Sequence, residues 1–169
     1  MKSLIVLALL MVSVITVNAN EKRKVRQEKR AEKEANLIEQ TKQIIEAEVW
    51  YFDATQMIPS KGQSRSITNY SISIKDGNLD SYLPYVGRAY SAGYGSASGS
   101  PLVFNSPIED YKVKETKKGG YNISFRVRNQ GDVVDYSINV SSNGSASLNV
   151  KSNNKQHISY YGNLVPIQS

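Results

Sequence analysis

Tyr121-Asn-Ile-Ser-Phe-Arg-Val-Arg-Asn-Gln-Gly-Asp-Val-Val-Asp-Tyr-Ser-Ile-Asn-Val-Ser-Ser-Asn-Gly-Ser-Ala-Ser-Leu-Asn-Val150 reads as three strands joined by two tight turns. Apolar residues fall at every second place: Tyr121, Ile123, Phe125 and Val127, then Val134, Tyr136, Ile138 and Val140, then Ala146, Leu148 and Val150. Successive side chains of a strand point to opposite faces, so this period gives each segment one apolar face and one face of Ser, Asn and Arg. Gly131-Asp132 and Asn143-Gly144 stand between the segments, and such dipeptides supply the positive φ of short hairpin turns. An antiparallel meander with one apolar side satisfies this pattern.

The same period recurs on either side. Trp50, Phe52 and Ala54 alternate with Tyr51, Asp53 and Thr55 up to Met57-Ile58-Pro59, and Ser60 to Ser64 is a connection. Thr68, Tyr70, Ile72 and Ile74 are expected to face one way, and Asp76-Gly77 turns the chain into a short strand, Asn78 to Tyr82. Leu102-Val-Phe104 is expected to be a separate short strand. Pro107 then restarts the chain, with Ile108, Tyr111 and Val113 in another strand before the turn at Lys117 to Gly120. A last strand is expected over His157 to Tyr161, with Gly162 and a tail containing Pro166 behind it. The expected fold is mainly β (α+β): an antiparallel meander of about eight strands curled into a barrel or sandwich, with an N-terminal helix closing an end or an open flank.

Ahead of the sheet the composition changes twice. Met1-Lys2-Ser3, the uncharged run Leu4 to Val17 and the small residues before a cut after Ala19 describe a secretory signal peptide. The run is shorter than the roughly twenty apolar residues a spanning helix needs, so no transmembrane helix is expected after cleavage. From Asn20 to Glu48 eight basic and seven acidic residues interleave among good helix formers, a mixture expected to support a solvated helix through i,i+4 pairs. Leu37, Ile38, Thr41, Ile44 and Ile45 share one face. Asn20 to Ala35 is therefore read as a frayed tether or exposed helix, and Asn36 to Glu48 as an amphipathic helix docked on the sheet. A coiled coil is the alternative, with a seam shorter than three heptads. The expected domains are a signal peptide over 1–19, a charged helix or tether over 20–48 and an antiparallel β domain over 49–169.

These features bound the function. The absence of cysteine excludes disulfides, thiolate metal sites, cysteine nucleophiles and acylation after the leader. The formal charge of +6 becomes +5 without Lys2, an excess suited to solubility and to anionic envelope surfaces; nucleic acid is not expected as a partner of an exported chain. His157, the single histidine, falls on the outer face of its strand, and no metal or other cofactor is expected. Glu109-Asp110, Asp132 and Asp135 are the acids to weigh for general acid–base chemistry on glycans; adjacent strand residues face opposite sides, and solvated turn acids are the plainer reading. No serine sits in a nucleophile elbow, and Gly93-Tyr-Gly95 lacks the strand-to-helix setting of a phosphate loop. No catalytic residue is assigned.

One stretch escapes both periodicities. Tyr82-Leu-Pro-Tyr-Val-Gly-Arg-Ala-Tyr90, continuing to Tyr94 and Gly99, sets four tyrosines in thirteen residues among glycine, serine and proline. Each ring has a large apolar body and a hydroxyl that seeks a partner, so the cluster either packs onto the fold or presents a binding surface. Arg88 in its midst can stack on a ring or hold a carboxylate. Tyr82, Tyr85, Arg88, Tyr90 and Tyr94 are the candidate ligand-binding residues.

The leader, the charged helical lead-in, Trp50-Tyr-Phe-Asp-Ala54 ending near Pro59, Tyr82-Leu-Pro-Tyr-Val-Gly87 with Arg88-Ala-Tyr90, and the closing Ile158-Ser-Tyr160-Tyr-Gly162 together resemble the bacterial envelope proteins of domain of unknown function family 4251. The resemblance covers Ala47 to Gly162, and Tyr-Leu-Pro-Tyr is its most specific piece. It implies export and a β-rich domain, and no reaction. Val86 stands where the family pattern often has an aromatic residue, and a lipoprotein cysteine after the leader is lacking. The expectation is an exported, non-catalytic, monomeric β domain, periplasmic or secreted, that binds an envelope ligand or protein. The alternatives are a hydrolase of envelope glycans or peptides and a purely structural protein whose charged helix meets a partner.

Overall fold

The structure, a computed structural model, describes residues 2–88, 99–117 and 119–167, with side chains from Lys22 onward. Helix α1 (Lys2–Glu46) precedes β1 (Trp50–Pro59), β2 (Arg65–Lys75), β3 (Asn78–Leu83), β4 (Leu102–Glu115), β5 (Tyr121–Asn129), β6 (Asp132–Val140), β7 (Ser145–Ser152) and β8 (Ile158–Pro166). The chain divides into two compact units, residues 1–36 and 37–169.

The first unit is helix alone. Neither glycine nor proline occurs between Lys2 and Glu46, so α1 runs unbroken through the stretch read as a frayed tether or exposed helix and into the amphipathic segment that follows it. It ends beyond Glu46, where Glu48 takes the left-handed conformation (φ 52°). Among the described residues no helix is long and apolar enough to cross a membrane.

The second unit is a closed barrel in which each strand pairs antiparallel with the next and β8 returns to β1. Its inward registers carry the core: Phe125 faces Tyr136, which faces Val150, and Ile123 faces Ile138, which faces Leu148. Side chains fill the interior, with Trp50, Phe52, Tyr136 and Tyr160 all fully buried. Apolar residues inside and Ser, Asn, Arg and Lys outside are the reverse of a barrel that crosses a bilayer. At one end Thr41 and Ile45 of α1 are buried, Ile44 is half-buried, and Ile45 joins the barrel core. Ile38, expected on the same face, is 41% exposed.

Several sequence expectations are corrected by bulges. An extra residue at Thr55 shifts the pairing of β1 with β8, so Met57 rather than Gln56 continues the inward series. Asn69 (φ 63°) breaks the period of β2; Thr68 is exposed and Ile67 packs on the core instead. Asp110 (φ 54°) lies at the β4 bulge, which turns Tyr111 toward Phe125; Val113, though paired with the buried Ile123, is 40% exposed. Leu102 to Phe104 and Ile108 to Val113 are one strand. Pro107 falls where β4 leaves β3 and joins β5, so its missing N–H breaks no ladder, and Ser106 Oγ donates to the Arg128 carbonyl at 2.8 Å. The β5–β6 turn is Gln130-Gly131, one residue earlier than the sequence suggested, which places Asp132 in β6. Finally, β8 starts at Ile158 and runs through Gly162 to Pro166. A Cβ on Gly162 would stand 1.8 Å from the Asp53 carbonyl oxygen, so the glycine lets β8 cross the bulged β1 instead of ending the strand.

Candidate binding rim

The end of the barrel away from Glu46 gathers the β1–β2, β3–β4, β5–β6 and β7–β8 connections. The Tyr-Leu-Pro-Tyr segment leaves β3 here, and alternation decides where each residue goes. Leu83 is buried, while Tyr82 is 50% exposed and stacks on Tyr70 with ring centroids 5.4 Å apart. The Pro84 carbonyl accepts a 2.6 Å hydrogen bond from the Tyr160 hydroxyl, and the Leu83 carbonyl one of 2.6 Å from Ser100 Oγ. Tyr85 turns back onto the core, its hydroxyl 3.0 Å from the Arg88 carbonyl and 3.1 Å from that of Gln156.

Arg88 is held from both sides. Its N–H donates to Gln156 Oε1 at 3.2 Å, and its carbonyl accepts from the Gln156 N–H at 3.1 Å. The hydroxyl of Tyr85 lies against Gly87, where an added Cβ would stand 2.5 Å from it, so a side chain there would unseat the ring from its partners. The result is a fixed backbone from Pro84 to Arg88 whose Val86 and Arg88 side chains face water. Tyr90 and Tyr94, the other two candidate residues, lie outside the described residues.

Gln156 is itself anchored. Its neighbour Lys155 forms an ion pair with Asp132 (2.5 Å) in which both side chains are largely withdrawn from water, and Ser152 Oγ donates to the same carboxylate oxygen at 2.6 Å. Asp132 Oδ1 is buried with no partner. Sequence reasoning treats Asp132 as a solvated turn acid and misses this anchor. Its only signal is that Asp132 keeps phase with Val134 and Tyr136.

The remaining acids weighed for catalysis also face cations. Arg128 Nε lies 3.1 Å from both carboxylate oxygens of Glu109, and Arg126 lies between Asp135 (2.8 Å) and Asp110 (3.5 Å). The hydrogen bond to Asp135, and then its charge, raise the Arg126 pKa. A glycosidase pair needs two carboxyl groups facing a common substrate, one of them protonated; here each acid instead faces a guanidinium or ammonium. His157 is exposed, and among the described residues no group of acids and histidine could hold a metal ion.

Fold and rim together define a small, water-facing antiparallel β-barrel domain with a packed interior and one rigidly mounted edge segment. The chain belongs to the family described as domain of unknown function DUF4251, whose model matches residues 32–164. It is similar to a solved DUF4251 family protein from Bacteroides eggerthii, at 18% identity and a TM-score of 0.61, over 78% of this chain and 89% of that one. The likeness is one of fold. No curated protein matches.

Proposed function

We propose that the chain is an exported, non-catalytic module of the bacterial envelope that acts by binding, and that its rim from Tyr82 to Arg88 meets the partner. The observation that carries this reading is the pinned backbone of Pro84 to Arg88, which presents Val86 and Arg88 outward from both sides of a fixed frame. A segment already ordered before contact loses little conformational entropy on binding, whereas a segment whose purpose is to close the barrel has no need to turn its cation and apolar side chain to water. Export is supported by the leader-like sequence Met1 to Ala19.

Native mass spectrometry of the protein purified from its own envelope tests both halves. The expected result is a chain beginning at Asn20 that carries a retained small molecule or protein, with that passenger lost in Arg88→Glu while the fluorescence of the buried Trp50 is unchanged. A chain beginning at Met1 overturns export, and a passenger retained equally by Arg88→Glu overturns the rim.

A further inference from the structure

Between Lys22 and Glu34, six of the seven cations of α1 share one face. At 100° per residue, Lys22, Arg23, Arg26, Lys29, Arg30 and Lys33 fall within about 120° of arc, while Glu28 and Glu32 lie on the far side with the seventh cation, Lys24, and Glu34 borders the stripe. All ten are exposed, and Lys22, Arg23, Arg26 and Arg30 line one shallow groove. Among the described residues none of the six cations forms an ion pair; the helix's one pair is Lys42 with Glu46.

This arrangement works against the helix. Lys22 with Arg26, Arg26 with Arg30 and Lys29 with Lys33 are like charges at the i,i+4 spacing, which destabilise, and the two opposite pairs at that spacing, Lys24 with Glu28 and Arg30 with Glu34, are not closed. Between Lys22 and Glu34 seven bases stand against three acids, and six of the bases share one face. The interleaving in the sequence thus becomes segregation on the helix, and helix stability does not account for it.

We infer that this stripe is a docking surface for the anionic headgroups of a phospholipid bilayer. Its form suits an extended sheet of negative charge: it runs about 16 Å along a helix and has no enclosing pocket for a single small anion. The sequence places it directly after the apolar run Leu4 to Val17, the segment of the chain suited to meet a membrane, and a cut after Ala19 would add an α-amino charge beside Lys22. The inference is independent of the rim.

The test is flotation of the chain as purified from its own envelope, expected to begin at Asn20, with vesicles of phosphatidylcholine containing about 30 mol % phosphatidylglycerol, against pure phosphatidylcholine, at about 0.1 M salt. Binding to the anionic vesicles alone is expected, with a fall of about tenfold or more in the variant Lys22→Glu, Arg26→Glu, Arg30→Glu. An equal change of net charge on the barrel, Lys61→Glu, Lys75→Glu, Lys114→Glu, is expected to keep most of the binding, as is Arg88→Glu. Circular dichroism verifies that the helix survives. Equal binding to neutral vesicles, an unaffected stripe variant, an equal loss in the barrel variant, or tighter binding to duplex DNA than to the vesicles would each overturn the proposal.

Discussion

Tyr136 and Tyr160 show how single residues couple the core to pH. Both hydroxyls lie inside the barrel, where burial disfavours the phenolate and pushes each pKa well above the ordinary value of 10. The unfolded chain releases these protons near pH 10 while the folded chain retains them, so stability is full below about pH 10 and falls as pH rises beyond it. Tyr136 stacks on Phe125 with centroids 5.0 Å apart, but its hydroxyl makes only a long 3.4 Å contact to Ser81, which has its own bond to the Leu102 carbonyl. Tyr136→Phe is therefore expected to cost less than about 1 kcal/mol at pH 8 and to match or exceed the wild type at pH 11. Urea midpoints read from Trp50 fluorescence give the comparison. Gly162 is the opposite case, a residue with no tolerance. Gly162→Ala drives a methyl into the Asp53 carbonyl and is expected to cost about 3 kcal/mol in the same titration.

Whether an element could be read from the sequence depended on whether its period survived. β5, β6 and β7 keep strict alternation from end to end, and their inward residues are those the sequence names. β1, β2 and β4 each carry a bulge that reverses the phase, and Thr55, Asn69 and Asp110 have no signature separating a bulge from a turn. Pro107 and Gly162 read as breaks because the neighbours that excuse them come from distant sequence. The rim was half legible for the same reason. The tyrosine cluster is visible in the chain, but Gln156, its clamp, is 71 residues from Tyr85. The rim and its anchor call for different mutational responses. Tyr85→Phe removes a hydroxyl between two carbonyls and is expected to cost about 1 kcal/mol while speeding hydrogen exchange at the Arg88 amide. Lys155→Met strands the buried Asp132 carboxylate and is expected to cost about 3 to 5 kcal/mol, most of it recovered when Asp132→Leu is added. If the single and double variants are equally unstable, packing of the lysine stem matters more there than its charge.

At the scale of the whole molecule, α1 belongs to two different structures. From Lys22 to Asn36 its side chains are exposed, and from Leu37 it supplies side chains that finish the barrel's core. Ile45 is 3% exposed and Thr41 4%, and Gly144 in the β6–β7 turn comes close enough that a Cβ there would lie 3.5 Å from Thr41 Oγ1. A chain beginning at Leu37 should therefore keep the midpoint and slope of urea unfolding shown by the chain beginning at Asn20, since the described side chains it loses, Lys22 to Asn36, are all exposed. A chain beginning at Trp50 loses the burial of Ile45 and part of that of Ile44, worth about 1.5 to 3 kcal/mol for a fully buried side chain, and opens the end of the barrel where Trp50 itself lies. Its midpoint should fall and its Trp50 emission move toward the red, as water reaches the indole. If truncation to Leu37 destabilises as much as truncation to Trp50, the exposed half of the helix contributes to the fold, and its charge stripe would have a structural role to answer for.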